Sequence, residues 1–528
     1  MENPRIIQGG MGAGVSNWQL ARAVSRTGQL GVVSGTALDQ ILARRLQDGD
    51  RGGAMRRALA HFPFPQMAGR VWQAYYIPGG KKKGAPYRCP PMPVKDTPRE
   101  LSELCLVANF IEVHLAREGH SNPVGINYLE KVQMLHLCSV YGAMLAGVDY
   151  VLMGAGIPAK IPGVLDRLAR HEPATYPLPV AGAQPADETH MRLAPAEFME
   201  LPLPPLTRPR FFAIVSSSTL ALALLKRANG QVDGFVVEGP TAGGHNAPPR
   251  GKHQFNDAGE PIYGERDRAD LAAMRALGLP FWLAGGYGSP EKLHEALAAG
   301  AAGIQVGTAF AFCAESGLRE DCKRTLIKKA LAGAVRVITD PLSSPTGFPF
   351  KASQLEGSAS EAEVYSGRAR ICDVGYLREA YRTASGAIGY RCSAEPVSTY
   401  LAKGGQRERT VGKKCLCNAL LANIGHAQVR PGNRSEPCLV TCGDDLARVA
   451  RFLTARQTAY SAADVIGILL GEAQAGRTSA ESPEIGAENR LPESPACPAA
   501  REEAAESLEI ACCGREPDDL RPAEVTRY

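Results

Sequence analysis

The feature that most constrains the fold is an alternation of short apolar runs with longer helical stretches, which repeats eight times between residues 4 and 335. Runs rich in Val, Ile and Phe are typical of strands buried on both faces, and strand–helix alternation is typical of parallel sheets. Eight such units match a (β/α)₈ barrel. The predicted strands are Arg5–Ile7, Leu30–Ser34, Val124–Tyr128, Tyr150–Met153, Phe211–Ser216, Gly234–Glu238, Phe281–Leu283 and Gly303–Val306.

A doubly wound sheet is the alternative, but it favours a G-x-G-x-x-G turn after its first strand. The glycine-rich segment 10–14 does not have that spacing. We therefore predict an α/β protein with a TIM barrel over residues 1–335. Its long βα loops are 61–98, 172–209 and 246–267, and the many prolines of 172–209 predict a loop without regular structure.

The alternation stops after residue 335. We predict that 336–460 is a Cys-containing C-terminal extension packed on the barrel, with a helical run near Leu446–Thr454. Residues 461–528 contain few large apolar side chains and many Glu, Ala, Pro and Arg, so we expect a largely disordered tail. Arg501–Ile510 is its one predicted short helix.

Composition excludes several classes of protein. A hydrophobic fraction of 45% is that of a globular chain, and the net charge is only +5, from 59 basic and 54 acidic residues. Basic residues form no stripe, so we expect no nucleic-acid partner. No run of 18 apolar residues and no apolar signal core is present, so we expect no membrane partner and a cytoplasmic location.

Two glycine turns follow the seventh and eighth predicted strands, where barrels commonly bind phosphate. Glycine lets backbone N–H groups approach an anion closely, although the same glycines also suit simple tight turns. The residues placed to hold a phosphate are Gly285, Gly286, Gly307 and Thr308.

His245 follows the sixth predicted strand and faces the mouth of the barrel. Histidine titrates near neutrality, so it suits proton abstraction from carbon, although a structural hydrogen bond would also explain it. Gly243 and Gly244 before it would let the backbone lie against a flat ligand. His253, in the middle of the following loop, is the weaker candidate.

These segments together resemble the nitronate monooxygenase family, which includes flavin-dependent enoyl reductase relatives and consists of FMN-binding TIM barrels. The resemblance covers roughly residues 4–315 and rests mainly on the Ala242–His245 and Gly303–Thr308 motifs. The chain of 528 residues is longer than typical members. Its extension is similar to that of a longer group found near polyketide and fatty-acid pathways.

The resemblance implies a role for each matching residue. His245 would remove the α-proton of a nitroalkane or position a substrate, and the two glycine turns would hold the FMN phosphate. The residues that would contact the rest of the flavin are Gly9, Gly10, Met11, Asn127, Glu238, Gly243, Gly244 and Gln305.

The function implied is an FMN-dependent oxidoreductase that oxidises nitronates or nitroalkanes with dioxygen, with His245 as general base. The alternative is an enoyl reductase that uses NAD(P)H on acyl-carrier or CoA thioesters. A flavin-binding scaffold without turnover and a phosphate-sugar enzyme on the same barrel stay open. The expected partner is a small-molecule or acyl-thioester substrate, and a homodimer is compatible with the sequence.

Six of the 14 cysteines fall between residues 372 and 442, namely Cys372, Cys392, Cys415, Cys417, Cys438 and Cys442. Only Cys438 and Cys442 have a spacing common in structural zinc sites. We expect buried apolar thiols and assign no metal ligand here. A metal or iron–sulfur site and a redox pair are the alternatives, because Lys413 and Lys414 favour thiolates.

Overall fold

The computed structural model describes residues 3–184, 189–198, 200, 202–251, 254–453 and 458–472. Eight parallel strands form one sheet in the order β1-β8-β7-β6-β5-β4-β3-β2. A parallel bridge between Ile7 and Leu30 joins the two ends, so the sheet closes into the predicted barrel. The strands are β1 (Ile6–Gln8), β2 (Gly31–Ser34), β3 (Val124–Leu129), β4 (Tyr150–Gly154), β5 (Arg210–Val215), β6 (Gly234–Glu238), β7 (Phe281–Ala284) and β8 (Gly303–Val306).

Side chains inside and outside the barrel alternate along each strand, as the pleat requires. In β6, Val236 belongs to the interior cluster, whereas Phe235 and Val237 pack outward against helices. Trp282 closes the amino-terminal end of the interior, and its indole N–H donates to the carbonyl of Pro4 at 2.7 Å. The barrel interior is therefore a packed core.

Helices follow the strands as the alternation predicts. The α-helices of the barrel region are Trp18–Arg26, Leu38–Gln47, Ala54–Leu59, Pro65–Tyr75, Arg99–Arg117, His136–Leu145, Ile161–Ala169, Ser218–Arg227, Leu271–Ala276, Pro290–Ala298, Thr308–Ala311 and Glu320–Leu331. No helix among the described residues is long and apolar enough to cross a membrane.

Two of the predicted long loops contain regular structure, which corrects the sequence interpretation. Pro65–Tyr75 within loop 61–98 is a helix that begins with proline and buries Met67 and Val71. Within 172–209, Ala174–Pro177 pairs antiparallel with His190–Leu193, and every second side chain is buried. This period of two was obscured in the sequence by the surrounding prolines.

The extension packs on the barrel through three small sheets, short helices and turns. Its elements are Val337–Asp340, Phe350–Ser353, Ala362–Ser366, Glu379–Arg382, Ile388–Arg391, Val397–Ala402, Leu416–Ala422, Val429–Arg430, Arg434–Ser435, the 3₁₀ helix Asp444–Phe452 and the helix Ala462–Leu470. Phe350–Ser353 pairs with both Val337–Asp340 and Gly244–His245. The sheet thus joins the extension to the loop after β6.

The last helix lies in the segment predicted to be largely disordered. Ala462–Leu470 begins with a capping box at Ser461 and buries Val465, Ile466 and Leu469 against the main core. The predicted helix Arg501–Ile510 lies outside the described residues.

Candidate active site

One cavity of about 200 Å³ opens at the carboxyl ends of the strands. All thirteen residues singled out from the sequence line it, although they come from six segments of the chain. They are Gly9, Gly10, Met11, Asn127, Glu238, Gly243, Gly244, His245, Gly285, Gly286, Gln305, Gly307 and Thr308. His253 lies outside the described residues. We call this space the glycine-lined cavity.

Two turns after β7 and β8 form one end of the glycine-lined cavity. Gly285 and Gly286 have φ values of +84° and +77°, which side chains rarely adopt. A Cβ at Gly285 would also lie 2.8 Å from the carbonyl oxygen of Gly239. Glycine is therefore required here by conformation and by space. Thr308 begins the short helix after β8, and its hydroxyl accepts a hydrogen bond from Gly443 at 2.9 Å.

The extension completes this end of the cavity. Besides the bond from Gly443, the backbone N–H of Asp444 donates to the carbonyl of Thr241 at 3.1 Å. The Asp445 carboxylate lies 3.3 Å from the backbone nitrogen of Gly288. Lining residues that the sequence interpretation missed include Thr36, Thr241, Phe350, Leu420, Thr441, Cys442, Gly443 and Asp445. Most of them lie outside the barrel units, so strand-end reasoning could not find them.

Other parts of the cavity lining present polar atoms without a protein partner. The buried side-chain oxygens of Thr36, Asn127 and Gln305 accept no hydrogen bond within the described structure. A buried polar atom without a partner is costly, so these atoms suit the edge of a polar ligand. A Cβ at Gly10 would lie only 2.4 Å from the Cβ of Asn127. Because glycine has no Cβ, the backbone of the loop after β1 can lie this close to β3.

His245 is held between the barrel and the extension. Gly244 before it has φ +81°, and the pair forms a two-residue strand whose His245 is in register with Phe350. The Nε2 atom lies 2.7 Å from the Ser344 hydroxyl oxygen, and the ring packs edge-on against Phe350 at 4.9 Å. Burial lowers the pKa of His245 to about 4, so the imidazole is neutral near pH 7.

Glu238 ends β6 on the same side of the barrel. Burial raises the pKa of its carboxyl to about 7. A group with such a pKa exchanges a proton near neutrality.

A second cavity of about 320 Å³ adjoins the first, and Glu238 and His245 line both. Its walls are mainly apolar, with Ile157, Pro158, Leu220, Leu224, Pro240, Pro248 and Phe348. Arg250 and Tyr263 add polar groups. His245 therefore stands between a glycine-lined space and an apolar space.

Sequence comparisons with known proteins match part of this chain. Residues 203–345, which contain β5 to β8, His245 and Ser344, match the family model of nitronate monooxygenase. A nitronate monooxygenase of Pseudomonas aeruginosa is 32% identical over 140 residues, which are 26% of this chain and 37% of that protein. The match thus spans little more than a third of the relative's length.

Two solved structures are similar to this chain at low sequence identity. FabK from Thermotoga maritima has a TM-score of 0.44 and 16% identity, covering 89% of this chain and 93% of that one. A nitroalkane oxidase from Streptomyces ansochromogenes has a TM-score of 0.43 and 16% identity, covering 89% and 95%.

The fold and cavity define a (β/α)₈ barrel protein with a cavity at the carboxyl ends of its strands. The match of residues 203–345 to the family model, together with the 140-residue match to the Pseudomonas aeruginosa protein, confirms the predicted resemblance to the nitronate monooxygenase family.

Proposed function

We propose that this protein is a flavin-dependent oxidoreductase of the nitronate monooxygenase type, with His245 as its general base. The observation that carries the proposal is a neutral, buried His245 set between the glycine-lined cavity and an apolar cavity. The matched nitronate monooxygenase family supports an oxidoreductase. FMN, when bound, would supply the redox chemistry by accepting an electron pair from the substrate.

The residues that line the cavity fit both the phosphate and the ring of FMN. The turns at Gly285–Gly286 and Gly307–Thr308 suit a phosphate, because glycine lets backbone N–H groups come close to an anion. The partnerless oxygens of Asn127 and Gln305 suit the polar edge of the flavin ring. We propose contacts with the remaining surface of the flavin from Gly9, Gly10, Met11, Glu238, Gly243 and Gly244.

His245 acts on the substrate through one of its two ring nitrogens. We assign the proton to Nε2, which donates to Ser344, so that Nδ1 carries the lone pair. This nitrogen removes the α-proton of a nitroalkane, and the electron pair of the C–H bond stays on the resulting nitronate. A pKa of about 4 keeps the base unprotonated at neutral pH.

The test compares a neutral nitroalkane with its preformed nitronate in the His245→Ala variant. Loss of the base should slow flavin reduction by the nitroalkane about 10²–10⁴-fold. The nitronate has already lost its proton, so its rate should change far less. FMN affinity, followed by flavin fluorescence, should stay near that of the parent protein. His294→Ala, an exposed histidine on the helix Pro290–Ala298, is the matched control.

Equal losses with both substrates would contradict the role of His245 as a base and leave only a positioning role. Protein that takes up no FMN would contradict the proposal as a whole.

A second candidate function, NAD(P)H-dependent enoyl reduction of acyl thioesters, is favoured by the apolar cavity. Its volume of about 320 Å³ and its aliphatic walls suit an acyl chain better than a small nitroalkane. Anaerobic spectra separate the two candidates. Flavin bleached by nitronate alone supports the oxygenase, whereas flavin bleached by NADH or NADPH and reoxidised by an enoyl thioester supports the reductase.

A further inference from the structure

Four cysteines of the extension converge on one small void, and the proposed reaction uses none of them. Cys372, Cys392, Cys415 and Cys417 all line this void, and their side chains pack together as one cluster. They come from three separate parts of the extension. Cys372 lies in a loop, Cys392 follows the strand Ile388–Arg391, and the other two flank the start of the helix Leu416–Ala422. Their convergence is thus a product of the fold.

We propose that these four thiols bind an iron–sulfur cluster of the four-iron type. Thiolates are the usual ligands of such clusters, and four are required. A single zinc ion would need sulfurs about 2.3 Å from one point. Among the described residues, no group of three or more His, Cys, Asp or Glu side chains is arranged around such a point. A four-iron cluster places each thiolate on a different iron, so the sulfurs surround a volume instead.

The other acidic groups at the void are already engaged. Asp373 accepts hydrogen bonds from Arg430 at 2.6 Å and from Asn418 at 2.8 Å. Glu395 accepts from Lys403 at 2.7 Å and from the backbone N–H of Cys392 at 3.3 Å. These carboxylates therefore shape the surrounding loops, and the four thiols are the groups left to bind a ligand in the void.

Hydrogen-bond donors point at the sulfurs. The side-chain amide of Asn418 lies 3.6 Å from the sulfur of Cys415. Backbone amides bond to two others, from Ala394 to Cys392 and from Leu377 to Cys417. Hydrogen bonds to ligating sulfurs are a regular part of iron–sulfur sites and help to set their potentials.

Basic side chains surround the cluster. Arg368 interacts electrostatically with Cys415, Arg378 with Cys372, and Lys413 with Cys392. Neutral thiols do not require such neighbours, whereas four thiolates around a metal cluster carry net negative charge that nearby cations offset. Arg368 is also paired with Glu436, so it is mainly Arg378 and Lys413 whose positive charge would offset part of the negative charge of ligated thiolates.

The proposed centre lies beside the loop that holds His245. Pro345 lines the void, and its neighbour Ser344 bonds His245. The ammonium of Lys413 donates to the Ser344 carbonyl at 3.0 Å, and the backbone N–H of Lys414 donates to Ser343 at 2.8 Å. A cluster here would fix the segment that orients the base.

The experiment is chemical analysis of the full chain purified without oxygen. We expect about four iron and about four acid-labile sulfide ions per chain. Dithionite should produce a low-temperature electron paramagnetic resonance signal, which separates the cluster from any flavin absorbance. Absence of iron, both as isolated and after incubation with ferrous iron and sulfide, would overturn the proposal. One zinc ion per chain without sulfide would overturn it equally.

Variants assign the ligands. Cys415→Ser and Cys392→Ser should each lose most of the bound iron, whereas Cys138→Ser should keep it. Cys138 is a matched control because it is also buried, but it lies in the barrel helix His136–Leu145. Circular dichroism checks that each variant is folded. Full iron content in both ligand variants would refute the assignment, and the analysis of the parent chain decides the proposal even if a variant does not fold.

Discussion

Replacement of Glu238 by Gln should change how the stability of the protein depends on pH. The buried carboxyl has a pKa of about 7 in the folded protein, against 4.5 as its ordinary value. Between these values the folded state holds a proton that the unfolded chain has released. Stability contributed by this group is therefore fully present below pH 4.5, and it is lost as the pH rises through 7.

The size of the effect follows from the pKa difference. Each pKa unit corresponds to about 1.4 kcal/mol, so ionisation of Glu238 above pH 7 costs at most about 3–4 kcal/mol. For a folded unit of this length the entropy of unfolding is about 1 kcal/mol/K. The contribution of Glu238 to the thermal midpoint between pH 5 and pH 8.5 is therefore about 3 °C.

The assay is thermal unfolding of the parent chain and Glu238→Gln at both pH values. Glutamine has nearly the same shape and does not ionise, so the variant should lose less stability than the parent as the pH rises. For each protein, the change in thermal midpoint between pH 5 and pH 8.5 is measured, and the two changes are compared. The effects of other titrating groups cancel in this comparison. Identical changes in both proteins would refute an elevated pKa for Glu238.

Three further predictions concern two residues at the wall of the site and one buried ion-paired residue of the extension. Gly243→Ala places a Cβ 2.5 Å from the backbone carbon of Cys442; it should lower stability by about 1–3 kcal/mol in thermal unfolding. Asp445→Asn removes a negative charge beside Gly288 and should tighten FMN binding about fivefold in a fluorescence titration. Glu436→Gln disrupts a buried carboxylate shared by two arginines; it should cost about 3–5 kcal/mol in urea unfolding. An unchanged value in any assay would contradict the corresponding contact.

Much of the barrel could be predicted because its signals are local. A buried parallel strand is a short apolar run in the sequence, and glycines directly after it indicate a site at its carboxyl end. Neither signal depends on contacts with distant parts of the chain. For this reason the turns at Gly285 and Gly307 and the position of His245 were found from the sequence. The helix Pro65–Tyr75 was missed because prolines and aromatics around it are typical of loops.

The contribution of the extension could not be predicted, because it depends on contacts between distant parts of the chain. Gly443 reaches Thr308 across 135 positions, and Ser344 reaches His245 across 99. Likewise, spacing alone did not separate Cys372 and Cys392 from ordinary buried thiols. Only the fold shows that the four cysteines share one void.

During synthesis, the cavity cannot be complete until the extension has been made. His245 pairs with Phe350, and Gly443 closes the cavity at Thr308. The barrel strands are all made by residue 306, but the wall that the extension provides is made almost 140 residues later. At about 5–20 residues per second, a ribosome needs roughly 10–40 s to go from His245 to Gly443. The nascent barrel therefore passes through a period in which all its strands have been made while His245 still lacks its contacts with the extension, and the wall of the cavity is complete only after Gly443 has been made.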